Sequence, residues 1–205
     1  MFSPPGRELE RGWPGRIEGD RVVQLAAQTL QSFFTGGGRA REHAEYPLDE
    51  VELRAPVLHP PSVRIFDEDD FLFANPAAIH GPGDTIPTPT AAIAYELRPA
   101  VMIGAEGRIG GFTLMNVLTA PALPGAKARD FALVLGPVVL TPDEDVAAAR
   151  EVDWDRLTAH AARNTRLVAG DVIAADPVAT GSVDGVVEVE LEGIGALRNQ
   201  LGERL

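Results

Sequence analysis

The chain has 205 residues, no cysteine, and 30 acidic against 18 basic residues, for a net charge of −12. That length allows one sizeable domain with a full core, and the absent thiols exclude disulfides, thiolate metal sites and cysteine nucleophiles. The acidic balance argues against nucleic acid or an anionic membrane as a partner, because the summed field repels phosphates.

The 21 Gly and 17 Pro punctuate the chain every few residues, which suits short strands and turns better than long helices. Residues 1–15, polar and carrying Pro4, Pro5 and Pro14, read as a loosely ordered arm. They lack the apolar core of a signal peptide. No apolar run elsewhere is long enough for a bilayer, so the expected location is the cytoplasm. Arg16 to Val23 reads as a hairpin turning at Glu18-Gly19-Asp20. A short helix over Gln24 to Phe34 follows, stopped by Gly36-Gly37-Gly38. His43 falls in a polar connector. Alternation returns from Val51 to Pro61, where Pro60-Pro61 forbids regular pairing. The acidic run Asp67-Glu68-Asp69-Asp70 reads as a solvated loop, since calcium loops interleave their acids and need a sharp Gly. Pro76 to Pro89 lacks too many N–H groups for a central strand and reads as an irregular connection or an edge.

The clearest interior signal is Ala94 to Gly104. Its apolar tail, Ala100 to Ile103, reads as a buried strand. Just before it, Glu96 and Arg98 stand two residues apart and share one strand face. Glu106-Gly107-Arg108 is a hairpin turn, and Ile109 to Val117 the next strand, with Phe112, Leu114 and Asn116 on one face. A loop from Pro121 to Arg129 carries Lys127 and Arg129. The apolar run Phe131 to Leu140 is interrupted at Gly136-Pro137. Thr141-Pro142-Asp143-Glu144 has the composition of a helix start. Asp153 to Arg163 reads as an amphipathic helix with Trp154, Leu157 and Ala161 inward and His160 beside that stripe. Val187, Val189 and Leu191 alternate with Glu188, Glu190 and Glu192, a half-buried strand with a charged outer face.

Several chemistries find no support. There is no Gly-x-Ser-x-Gly elbow. Gly36-Gly37-Gly38 is followed by Arg39 rather than the Gly-Lys-Ser/Thr of a phosphate loop. Four scattered His give no zinc spacing.

Segments spread over residues 16–200 do, in order, resemble the fumarylacetoacetate hydrolase family. They are Leu53 to Arg64, Phe71 to Pro76 with Gly81 to Asp84, Tyr95-Glu96 to Gly104, Gly111 to Asn116, Ala126 to Pro137, Leu167 to Ile173 and Val189 to Asn199. The resemblance implies an α+β, mainly β fold: a β-roll of mixed sheets with few short helices, usually dimeric. A small hairpin and helix segment, 1–45, would precede the main domain, 46–205. It also implies a chemistry. Three carboxylates hold Mg²⁺ or Mn²⁺, the metal chelates a 2-oxo acid or β-diketone, a lid His–Glu pair activates water, and a Lys stabilises the developing enolate.

Carried over residue by residue, that machinery is depleted. The first ligand is Glu96, the second falls on Arg98 and the third on Val117. The catalytic Lys falls on Arg129, Lys127 matches an earlier Lys of the same motif, and Asp176-Pro177 stand where a substrate-contacting Gly-Thr is usual. The lid His and Glu are not recognisable between Phe66 and Phe71. One carboxylate does not hold a hard cation, and an Arg places positive charge where the cation would sit. The expectation is a homodimeric relative with a dismantled metal site and a binding or assembly role. The alternative is a remodelled, metal-independent hydrolase or isomerase in which Arg98, Lys127, Arg129 and Thr180 bind a small anionic keto acid. A weaker third option keeps a metal on Asp69, Asp70 or Glu106.

Overall fold

The structure is a computed structural model, and it describes residues 1–144 and 150–204. It is mainly β, a curled mixed sheet with small satellite sheets and, among the described residues, two α-helices. The strands are β1 (Phe2–Ser3), β2 (Gly15–Glu18), β3 (Arg21–Leu25), β4 (Glu42–Pro47), β5 (Glu52–Leu53), β6 (Val63–Asp67), β7 (Asp70–Ala74), β8 (Ile79–His80), β9 (Thr85–Thr88), β10 (Ile93–Ile103), β11 (Ile109–Thr119), β12 (Leu133–Leu140), β13 (Val172–Ala174), β14 (Ala179–Val183), β15 (Val186–Leu191) and β16 (Gly195–Arg204). The helices are α1 (Leu30–Thr35) and α2 (Trp154–Ala161).

The large sheet runs β7-β6-β13-β10-β11-β12-β8, with β14 also paired to β10. Its spine is the antiparallel pair β10–β11, where Glu96 lies opposite Val117 and Arg98 opposite Met115. The other flank of β10 is divided: Ile93 to Leu97 pair with β14, and Ala100 to Met102 pair with β13. Arg98 and Pro99 therefore lie at the gap between two partner strands, bridged by Ala175 N–H to the Pro99 carbonyl and Val178 N–H to the Leu97 carbonyl. Parallel pairs β13–β6 and β12–β8 make the sheet mixed.

Because alternate residues of a strand point to opposite faces, β10 and β11 feed two cores. Ala100, Met102, Met115 and Val117 join Leu133, Leu135, Val172 and Ala174 on one side. Leu97, Leu114 and Leu118 pack on the other against Val187, Val189, Leu191 and Leu197 of the β15-β16-β9 sheet. A third cluster seats Trp154, Leu157 and Ala161 of α2 on Phe66, Val101, Ile103 and Ile173. Gly104 and Gly110 cross at the end of the β10–β11 hairpin so closely that a Cβ on Gly110 would lie 3.0 Å from the Gly104 Cα.

The predicted hairpins, the edge character of residues 76–89, the inward face of α2 and the alternation of β15 all appear. Three expectations are corrected. Residues 1–15 are not a loose arm. Phe2 is buried, packs on Trp13 and Tyr46, and sits in a strand paired to β5. The first helix spans only Leu30–Thr35, because Arg21–Leu25 is taken by a strand and Thr29 caps the helix through Ser32. His43 lies in β4, which closes the β2-β3-β4 sheet, and not in a connector. The helix expected to start at Thr141 would run into residues 145–149, outside the described residues. Among the described residues no helix is long and apolar enough to cross a membrane.

Candidate functional site

Glu96, Arg98 and Val117 share one face of the β10–β11 pair, as their register requires. Val117 is wholly buried and joins the apolar core. Between Glu96 and the end of β6 lies the Arg98 side chain, only 1% exposed. All five of its N–H groups find acceptors. Nε donates to Glu96 Oε2 at 3.0 Å, and Nη2 donates to Glu96 Oε2 at 2.6 Å and to Asp67 Oδ1 at 2.7 Å. Nη1 donates to the Phe66 carbonyl at 2.6 Å and to the Ala175 carbonyl at 3.0 Å. A guanidinium bonded on every edge has no donor left for a substrate carboxylate.

Arg129 closes the cluster from outside. A 3₁₀ turn over Gly125–Arg129, held by Ala120 N–H on the Ala128 carbonyl, returns the chain over the end of β11. Arg129 Nη2 donates to Glu96 Oε1 at 2.9 Å, and Nη1 lies 3.5 Å from Asp67 Oδ2. Glu96 thus accepts from two guanidinium groups, and Asp67 faces the same two. Lys127, on the same turn, is 74% exposed and pairs with Asp130, whose carboxyl is held below its ordinary range chiefly by that hydrogen bond. Thr180 sits on β14 directly across from Glu96, on the same face, and is exposed. The structure therefore joins Glu96, Arg98 and Arg129 in one cluster, places Thr180 at its rim and turns Lys127 toward solvent.

The acidic run is exposed throughout, as expected, but it forms the end of a hairpin rather than a loop, and its first residue also enters the cluster. Asp67 is a cluster member, and Glu68-Asp69 form the tip of the β6–β7 hairpin. The tip is tied on two sides: Glu68 N–H donates to Asp176 Oδ1 at 2.8 Å, while Arg156 and His160 of α2 reach Asp69 and Asp70. Glu106 pairs with Arg108 at the far hairpin.

A divalent cation does not fit these residues. Of the three positions where the resemblance puts carboxylates, one is Glu96, one is a buried guanidinium and one is an aliphatic side chain in the core. Among the described residues, no three His, Asp or Glu side chains are grouped as an ion-binding set. The missed partners, Asp67 and the carbonyls of Phe66 and Ala175, had one legible signal. An Arg on a strand about to enter the core has five N–H groups to satisfy, and a single Glu two residues away accepts too few of them.

No family sequence profile and no curated protein sequence matches the chain. Solved structures do match, over nearly the whole of both chains. A fumarylacetoacetate hydrolase from Exiguobacterium antarcticum superposes with a TM-score of 0.77 at 22% identity, covering 93% of this chain and 95% of that one. The chain has the fumarylacetoacetate hydrolase fold. A maleylpyruvate hydrolase from Sphingobium sp. SYK-6, crystallised with manganese(II) and pyruvate, gives 0.75 at 20% identity over 95% and 97% of the two chains. A 5-carboxymethyl-2-hydroxymuconate delta-isomerase from Mycobacterium smegmatis gives 0.74 at 22% identity over 94% of each. Within this fold, the expected β-roll with few short helices is what the chain forms.

Proposed function

We propose that this chain is a divergent relative of the fumarylacetoacetate hydrolase-type hydrolases and isomerases that has given up divalent-metal chemistry for a cytoplasmic binding or assembly role as a homodimer. The observation that carries this reading is the Arg98 guanidinium, buried on the ligand face and bonded to Glu96, Asp67 and two main-chain carbonyls. A hard cation at Glu96 would have to expel that buried positive charge and would still find no carboxylate at Val117. The alternative, direct binding of an anionic keto acid, is left with Arg129 and Thr180, since Arg98 has every donor engaged and Lys127 points away.

The test is calorimetric titration of the protein with MnCl₂ and MgCl₂. Turnover assays on oxaloacetate and acylpyruvates, with and without metal, run alongside, and light scattering gives the oligomeric state. The reading expects no saturable metal heat, no metal-dependent turnover and a dimer mass. A stoichiometric micromolar isotherm, or turnover lost in EDTA, would overturn it.

A further inference from the structure

We infer that the Arg98 guanidinium is the resident cation of this site, a tethered side-chain group that cross-links three chain segments through the oxygen set a bound cation would use. The inference rests on the reading just proposed and adds a structural role to it.

Three observations carry it. The acceptors around Arg98 are all oxygens: Glu96 and Asp67 carboxylates and the carbonyls of Phe66 and Ala175. Carboxylates and carbonyls are the donor set that hard cations take, and a planar guanidinium serves the same set through directed N–H bonds. Second, the charges balance. Arg98 and Arg129 bring two positive charges to the two negative charges of Glu96 and Asp67, as a divalent ion would. Third, the acceptors lie beside the break between the two partner strands of β10. Arg98 stands at the gap between β13 and β14, and its Nη1 joins Phe66 of β6 to the residue following β13, beside the β6–β13 ladder and the Glu68 N–H bond to Asp176. Burial of the side chain and saturation of its five donors leave it no other ligand to serve.

The inference predicts a vacancy with a defined chemistry once the guanidinium is removed. Arg98→Ala leaves a cavity lined by two carboxylates and two carbonyls, with Arg129 on its outer side. Thermal unfolding of wild type and Arg98→Ala is compared in EDTA, in millimolar CaCl₂ or MnCl₂, and in millimolar methylguanidinium chloride, each matched in ionic strength with KCl. The variant is expected to melt well below wild type, and to recover part of the loss in methylguanidinium but not in the divalent salts or KCl. Wild type is expected to be unmoved by any of them. An unchanged midpoint in the variant, or equal shifts in both proteins, would overturn the inference. So would a variant that melts low and answers to none of the cations.

Should Arg98→Ala not fold, Arg98→Lys is read instead by hydrogen exchange. Lysine keeps the charge but offers three donors to an oxygen set that takes five bonds. Loss of protection confined to the amides of 66–68 and 175–178 supports the cross-link, and protection equal to wild type refutes it. Metal binding by wild type would sink the proposed function and this inference with it; failed rescue of the variant, with wild type inert to metal, would sink only this inference.

Discussion

Building an ion site into this scaffold should take two substitutions, not one. Arg98→Glu removes the guanidinium and sets a second carboxylate beside Glu96 on the same strand face. Val117→Asp places a third directly across from Glu96 on β11. Alone, Arg98→Glu leaves Glu96, Asp67 and the new carboxylate facing Arg129, with a core valine where the third ligand is needed. The doubly substituted protein carries four carboxylates against Arg129 and pays for them without metal, since each poorly paired buried charge costs several kcal/mol. With metal, the balance reverses. At about 1 mM MnCl₂ and a dissociation constant of about 10 μM, binding stabilises the folded state by about 2.7 kcal/mol. For a chain of this size that is a rise of roughly 5–11 °C in the unfolding midpoint. The assay is scanning fluorimetry in EDTA and in MnCl₂ on wild type, both single variants and the double variant. The expected result is a manganese-dependent rise in the double variant only. If Arg98→Glu alone gains as much, Val117 does not mark a missing ligand. If the folded double variant gains nothing, the three positions do not converge on one ion.

The two carboxylates of the cluster should also be unequal. Glu96 is 16% exposed and accepts from three N–H groups on two arginines, whereas Asp67 is 46% exposed. Glu96→Gln is expected to cost about 2–3 kcal/mol in urea unfolding and Asp67→Asn under about 1 kcal/mol; the reverse order would refute the geometry of the cluster. Gly110→Ala would drive its Cβ to 3.0 Å from the Gly104 Cα and 3.1 Å from the Gly104 nitrogen, both backbone atoms. A loss of about 1–3 kcal/mol follows, and an unchanged midpoint would show that the hairpin end relaxes freely. Burial lowers the Met1 amino group to about 6 from its ordinary 8.0. A depressed amine binds fewer protons folded than unfolded, so for a chain starting at Met1 stability rises with pH between about 6 and 8, by about 3 kcal/mol in all. Acetylating that amine should flatten the rise, and a profile indifferent to acetylation would assign the slope to another group.

What could be read from the sequence was local. Alternation of Val187, Val189 and Leu191 with glutamates gave β15, and the spacing of Trp154, Leu157 and Ala161 gave the inward face of α2. The shared face of Glu96 and Arg98 followed from strand geometry alone. What could not be read depended on partners far along the chain. Phe2 is ordered because Trp13 and Tyr46 take its ring and β5, some fifty residues on, takes its backbone. Asp67 looked like one of four solvated acids. It becomes part of the site because the β6–β7 hairpin is tied down by Asp176 and α2, which sets it beside Arg98. No window around residue 67 carries that information.

On the proposed reading, the position of Arg98 explains how the fold can hold its shape with a guanidinium on the face where the resemblance puts a metal. The three apolar clusters of the sheet are assembled by strand pairing and side-chain burial, and none needs an ion. What an all-carboxylate face would need is relief from its own repulsion at the rim of those cores. On the proposed reading, valine at the third ligand position extends the core by one buried side chain, and arginine at the second supplies the counter-charge from within the chain. The two changes are complementary. Valine alone would leave three carboxylates facing Arg129, and arginine alone would leave an aspartate competing for its donors. Together they leave a closed, charge-balanced cluster. Reversing either change by itself should therefore destabilise the protein more than reversing both in the presence of metal.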